Sequence, residues 1–84
     1  MKVIKTTNAP GAVGPYSQAI EIDNLVFASG QIALDPATGE MAEGIEAQAH
    51  QALKNAQAVI NASCAKWENV IKTTVFITNI DDFA

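Results

Sequence analysis

Residues 25–34 (LVFASGQIAL) constrain the fold most, because this apolar, strand-like run has polar groups set inside it rather than at its ends. Alternate side chains of a strand point to opposite faces, so one face of this run is wholly apolar or empty. Serine, glycine and glutamine weaken β propensity, and glycine lets another backbone or a ligand come close. We therefore expect a site at residues 29–31. The alternative is a strand that passes a bulge, with Ser29 and Gln31 bonded inside the sheet.

Two alternating runs before residue 25 predict further strands. Residues 2–6 predict a short edge strand whose lysines discourage additional pairing. Residues 17–22 predict a strand joined to the central run by a two-residue turn at residues 23–24. This hairpin brings Tyr16 close to the far end of the central run.

The hydrophobic period changes to that of a helix at residue 45. Gly44 is a plausible N-cap for an amphipathic helix of about five turns. We expect its buried side to comprise Ile45, Ala49, Ala52, Leu53, Ala56, Val59, Ile60 and Ser63.

The residues after this helix predict a strand and the beginning of a second helix. Residues 70–78 are rich in β-branched residues. The residues expected to face the first helix are Ile71, Thr73, Val75 and Ile77. A helix between two strands predicts a β-α-β crossover. Residues 79–84 carry the Asx residues of a helix start, and we expect a chain truncated within its domain.

The composition limits the classes of partner. The 84 residues carry a net charge of −4, with five lysines and no arginine. Nucleic-acid binding needs clustered Lys or Arg, so it is not expected. So short a chain has a thin core and is expected to associate with other copies or with more chain. Without a disulfide pair or an apolar run of spanning length, the sequence predicts a soluble, cytoplasmic protein that does not contact a membrane.

His50 and Cys64 do not form a catalytic pair on this sequence. If both lie on one helix, their spacing corresponds to about 21 Å at ~1.5 Å per residue. We expect His50 to be solvated and Cys64 to be a small buried hydrophobe. No group of potential ligands has the spacing of a metal site.

Four motifs, in order along the chain, resemble the reactive intermediate deaminase family, RidA or YjgF-type: residues 14–20 (GPYSQAI), 29–32 (SGQI), 36–40 (PATGE) and 70–78 (VIKTTVFIT). The resemblance implies an α+β, chorismate-mutase-like fold, with a mixed β-sheet and helices packed on one face. It also implies a homotrimer. Residues 1–84 would be a single RidA-like domain that lacks its C-terminal helix and strands.

The activity implied by the resemblance is that of a 2-iminobutanoate/2-iminopropanoate deaminase. Such enzymes hydrolyse 2-aminoacrylate and 2-aminocrotonate, released by PLP-dependent dehydratases, to 2-oxo acids and ammonia, without a cofactor or metal. Tyr16, Ser29 and Gly30 would then bind the small imino or 2-oxo acid. The catalytic residues are not identified, because the family's arginine and glutamate lie beyond Ala84. The alternatives are a non-catalytic trimeric module that binds small carboxylates or proteins and, less favoured by the acidic charge, an endoribonuclease.

Overall fold

Three short strands form an antiparallel sheet in the order β1-β2-β3 in the computed structural model, which describes residues 1–84. The strands are β1 (Lys2–Ile4), β2 (Ala19–Ile22) and β3 (Leu25–Ala28). The predicted β2-β3 hairpin is confirmed, with Ile22 paired to Leu25. Asp23 in its turn has a φ of 53°, in the left-handed region that Asp tolerates better than most residues.

The central run is not one strand, because β3 ends at Ala28 rather than at residue 34. Only one more ladder bond follows, from the Ser29 N–H to the Gln18 carbonyl at 2.9 Å. The Ser29 hydroxyl donates to the Ser17 carbonyl at 2.6 Å. A side chain that bonds the main chain offers an alternative to regular pairing, so the sheet stops here. Ser29 is thus bonded within the chain, as the alternative expected, but no strand continues past it to form a bulge.

Helix α1 spans Ile45–Ala62 and begins after Gly44, whose φ is 84°, as the sequence predicted. Its predicted buried side is only partly correct. Val59 is buried, but Leu53 is 56% exposed, and the second buried side chain of the helix is the polar Asn55. The apolar pattern misses this side because hydrogen bonds, described below, hold the Asn55 amide inside.

The core lies between α1 and one face of the sheet. It consists of Ile4, Ala9, Ala19 and Val59, with Val26 and Ala58 packed against them. The opposite face has no cover. We call Val3, Ile20, Ile22, Leu25 and Phe27 the open sheet face, because cross-strand pairing sets them side by side. Phe27, near its centre, is 60% exposed.

The predicted strand at residues 70–78 is not formed, and its side chains do not cover α1. The segment has no strand pairing, all its residues are exposed, and Phe76 is 92% exposed. The three-stranded sheet of residues 1–84 is antiparallel, and the predicted β-α-β crossover is not present in it. β-branched residues favour strands through cross-strand packing and burial, which this segment lacks.

The last residues begin a helical turn, as predicted. The Asn79 side chain accepts a hydrogen bond from the Asp81 N–H at 3.0 Å, and a single 3-10 turn covers Ile80–Asp82. A second 3-10 turn at Trp67–Asn69 follows α1. No helix has both the length and the apolarity needed to cross a bilayer. The observed elements confirm the α+β fold class.

Candidate functional site

The buried Gln18 side chain holds the loop that leads to Tyr16. Its amide oxygen accepts from the Thr6 N–H at 2.7 Å, and its amide nitrogen donates to the carbonyls of Thr6 at 3.1 Å and Pro10 at 2.8 Å. A satisfied buried amide costs little to keep and much to break, so the loop is fixed to the start of β2.

Tyr16 sits at the end of this loop in a tight local turn. Its N–H donates to the Gly14 carbonyl at 2.8 Å, and its hydroxyl oxygen accepts from the Val13 N–H at 3.4 Å. The side chain is 50% exposed. The ring therefore has a defined position and a free surface, as a residue that lines a ligand cleft requires.

Ser29 uses both of its donors inside the chain. Its N–H bonds the Gln18 carbonyl and its hydroxyl proton bonds the Ser17 carbonyl. A hydroxyl group has one proton and two acceptor lone pairs. The Ser29 oxygen is therefore left as an acceptor, suited to an N–H of a ligand rather than to a carboxylate. The same two bonds join β3 to the residues that follow Tyr16.

Gly30 and Gln31 carry main-chain N–H groups that donate to no group in the chain. Gly30 is exposed, and a Cβ built on it meets nothing within 4 Å. The Gln31 side chain reaches only the Ser29 carbonyl, at 3.4 Å. Two consecutive free N–H groups can donate charge-assisted hydrogen bonds to a small anion.

Asn55 of α1 fixes the chain just beyond these two residues. Its side-chain nitrogen donates to the carbonyls of Ile32 at 2.9 Å and Leu34 at 2.7 Å, and its oxygen accepts from the Gln51 side chain at 2.9 Å. Sequence analysis identified neither Asn55 nor Gln18. The signal available for Asn55 was its position one helical turn before the apolar Val59, which places both residues on the same side of the helix.

A cleft of about 470 Å³ lies elsewhere, between the N-terminal loop, residues 35–37 and α1. It contains none of Tyr16, Ser29 and Gly30, and its charged groups are one aspartate and one lysine. We place the candidate site at Tyr16 and residues 29–31, because the family motifs contain Tyr16, Ser29 and Gly30, and the Ser29 hydroxyl is bonded to the carbonyl of the residue that follows Tyr16.

His50 and Cys64 do not contribute to this site. His50 is exposed on α1, as predicted. Cys64 is also exposed, so the prediction of a buried thiol was wrong. The Cys64 N–H donates to the Glu21 carboxylate at 2.8 Å. This bond ties the chain after α1 to β2 and leaves the thiol at the surface. No group of three or more His, Cys, Asp and Glu side chains could hold a metal ion.

Curated proteins of similar sequence are longer than this chain. The 2-iminobutanoate/2-iminopropanoate deaminase of Salmonella typhimurium is 47% identical over 83 residues, which cover 99% of this chain and 65% of that protein. The protein of the same name from Mus musculus is 46% identical over 83 residues, covering 98% of this chain and 62% of that protein. The chain thus spans a little under two thirds of the length of these relatives.

Solved structures share its fold. A crystal structure of E. coli TdcF with bound serine has a TM-score of 0.96 and 43% identity, over 99% of this chain and 65% of that one. The yjgF gene product of E. coli has a TM-score of 0.95 and 43% identity over the same shares. The sequence model described as Endoribonuclease L-PSP matches residues 6–84. The chain therefore belongs to this family, which includes the RidA or YjgF-type proteins.

Proposed function

We propose that this protein is a 2-iminobutanoate/2-iminopropanoate deaminase, which hydrolyses reactive enamines and imines to 2-oxo acids and ammonia. The observation that carries the proposal is the pair of free N–H groups at Gly30 and Gln31, beside a serine oxygen that can only accept. A carboxylate next to an imine nitrogen presents the complementary groups. The deaminases similar to this chain, and the serine bound to TdcF, support it.

The proposed binding mode assigns one partner to each polar group of the substrate. The N–H groups of Gly30 and Gln31 hold the carboxylate, and Ser29 Oγ accepts an N–H of the imine or enamine. The exposed Tyr16 ring covers the carbon chain. This orientation leaves the imine carbon open to water. Serine differs from 2-aminoacrylate by one water molecule and carries the same carboxylate and nitrogen, so the ligand of TdcF fits the same pattern.

Hydrolysis needs one water and two proton transfers. Water adds to the imine carbon of 2-iminopropanoate, a proton moves to nitrogen, and the C–N bond breaks to give pyruvate and ammonia. A base must receive a proton from the water, and Tyr16, Ser29 and Gly30 include no such base. We propose that an arginine and a glutamate of the family, in the part of the domain that follows residue 84, supply charge and proton transfer. The balanced reaction needs no cofactor.

We propose a homotrimer with the site near a subunit boundary. The open sheet face supports this, because covering a continuous apolar patch with another subunit removes it from water and stabilises the assembly. The unpaired residues 70–78 and the greater length of the relatives support a single domain with more chain than residues 1–84. A dehydratase that uses pyridoxal phosphate would supply the substrate.

A non-catalytic module that binds small carboxylates is the second candidate. It is favoured by one observation, that the proposed ligand-binding residues Tyr16, Ser29 and Gly30 include no carboxylate or imidazole that could act as a general base. We do not propose RNA as a substrate, because a chain of net charge −4 with five lysines and no arginine offers no basic surface.

The test uses the full-length protein with 2-aminoacrylate generated in place by a serine dehydratase, and follows the release of pyruvate. We expect a saturable acceleration over the dehydratase alone. Serine binding without acceleration would favour the binding module. If the protein neither bound serine nor accelerated pyruvate release, both readings of the site would be refuted.

A further inference from the structure

Asn55 is the one polar side chain of α1 that is completely buried, at 0% exposure. Its two side-chain N–H groups donate to two carbonyls of one segment, those of Ile32 and Leu34. Since both partners are acceptors, the NH₂ group must face them, and the oxygen is left for Gln51. Both N–H groups of the Asn55 amide therefore bond the chain that follows the candidate site.

The segment that offers the free N–H groups is anchored at both ends. Ser29 is bonded through its N–H and its hydroxyl to the end of β2. Ile32 is bonded through its carbonyl to Asn55. Only Gly30 and Gln31 lie between these anchors, so their N–H groups have little freedom to move although neither is bonded. Binding to donors held in place avoids the cost of ordering them.

We infer that Asn55 is a positioning residue that holds the Gly30 and Gln31 N–H groups in the geometry that binds the substrate carboxylate. This inference rests on the proposed function and extends it to a residue that does not touch the ligand. Aspartate has no N–H to donate, and leucine has no hydrogen-bonding group, so neither can replace Asn55. Loss of the two hydrogen bonds from Asn55 would leave the Ile32 and Leu34 carbonyls without partners and would let the segment move.

Val59 provides a matched control on the same helix. It is buried like Asn55, one turn away, but it packs against Ile4, Ala9 and Ala19 rather than against the segment of the site. Val59→Ala therefore weakens the attachment of α1 but leaves the two hydrogen bonds from Asn55 in place. The experiment compares Asn55→Leu, Asn55→Asp and Val59→Ala in the full-length protein, with thermal unfolding and the KM and kcat for 2-aminoacrylate measured for each.

We expect all three variants to lower the Tm, and only the Asn55 variants to raise KM, by about tenfold or more, since small displacements of a binding group have large effects. An equal rise in KM for Val59→Ala, or an unchanged KM in a folded Asn55 variant, would overturn the inference. An inactive wild-type protein would instead refute the proposed function.

A measurement on the wild-type protein covers the case in which the Asn55 variants do not fold. Backbone ¹⁵N relaxation should give order parameters for Gly30 and Gln31 close to ~0.85, the value of rigid main chain, although their N–H groups are unbonded. Values below about 0.6 would show a flexible segment and would contradict a positioning role for Asn55.

Discussion

Gly30→Ala separates the effect of a residue on binding from its effect on folding. The φ of Gly30 lies outside the left-handed region, and an added Cβ meets no atom within 4 Å. The folded chain therefore accepts alanine without strain. Because alanine has fewer unfolded conformations than glycine, we expect stability to be unchanged or to rise by about 0.4–1 kcal/mol.

The same methyl group should obstruct the ligand. If the substrate carboxylate binds the Gly30 N–H, its oxygens lie within contact distance of the new Cβ. Overpacking of this kind costs roughly 1–3 kcal/mol. At ~1.4 kcal/mol per decade, this corresponds to a loss in kcat/KM of about fivefold to a hundredfold.

Gly11→Ala is the matched control for Gly30→Ala. Gly11 is also exposed, outside the left-handed region and without neighbours within 4 Å of a Cβ, but it belongs to the N-terminal loop and not to residues 29–31. The pyruvate-release assay and thermal unfolding are measured on both variants of the full-length protein. Full activity in Gly30→Ala, or an equal loss in Gly11→Ala, would refute the assignment of Gly30 to the site.

Three further predictions concern the rest of the protein. His50→Ala and Cys64→Ala should each keep kcat/KM within about twofold of wild type, since both side chains are exposed and outside the site; loss of activity in a folded variant would place the chemistry elsewhere. Light scattering of the full-length protein should give the mass of a trimer, and a stable monomer would refute the role of the open sheet face. Residues 1–84 alone should accelerate pyruvate release at least about a hundredfold less than the full-length protein, because they lack an arginine fork for the carboxylate; comparable activity would show that these residues suffice.

Local signals predicted the parts of the fold that depend on neighbouring residues. The turn at Asp23 and the glycine before α1 are set by backbone conformations that few residues adopt, so the hairpin and the helix could be predicted from sequence. The placement of Tyr16 near Ser29 followed from the hairpin alone. The bonds of Ser29 to Ser17 and Gln18 agree with that placement.

Features that depend on distant residues could not be predicted in this way. Residues 70–78 have the composition of a strand, but a strand also needs a neighbouring edge, and composition does not report one. The buried side of α1 was mispredicted because apolar periodicity gives no weight to Asn55, whose burial depends on carbonyls more than twenty residues away. The family resemblance named Ser29 and Gly30, but which of their groups remain free could be read only from the structure.

The location of the site is tested most directly by titrating serine into ¹⁵N-labelled full-length protein and following the amide resonances. We expect the largest, saturable shifts at Gly30 and Gln31, with smaller shifts at Tyr16 and Ser29, since the free N–H groups at residues 30 and 31 are proposed to bind the carboxylate. Shifts confined to the 470 Å³ cleft, at Thr7, Asn8, Asp35, Lys54 and Asn61, would contradict this location.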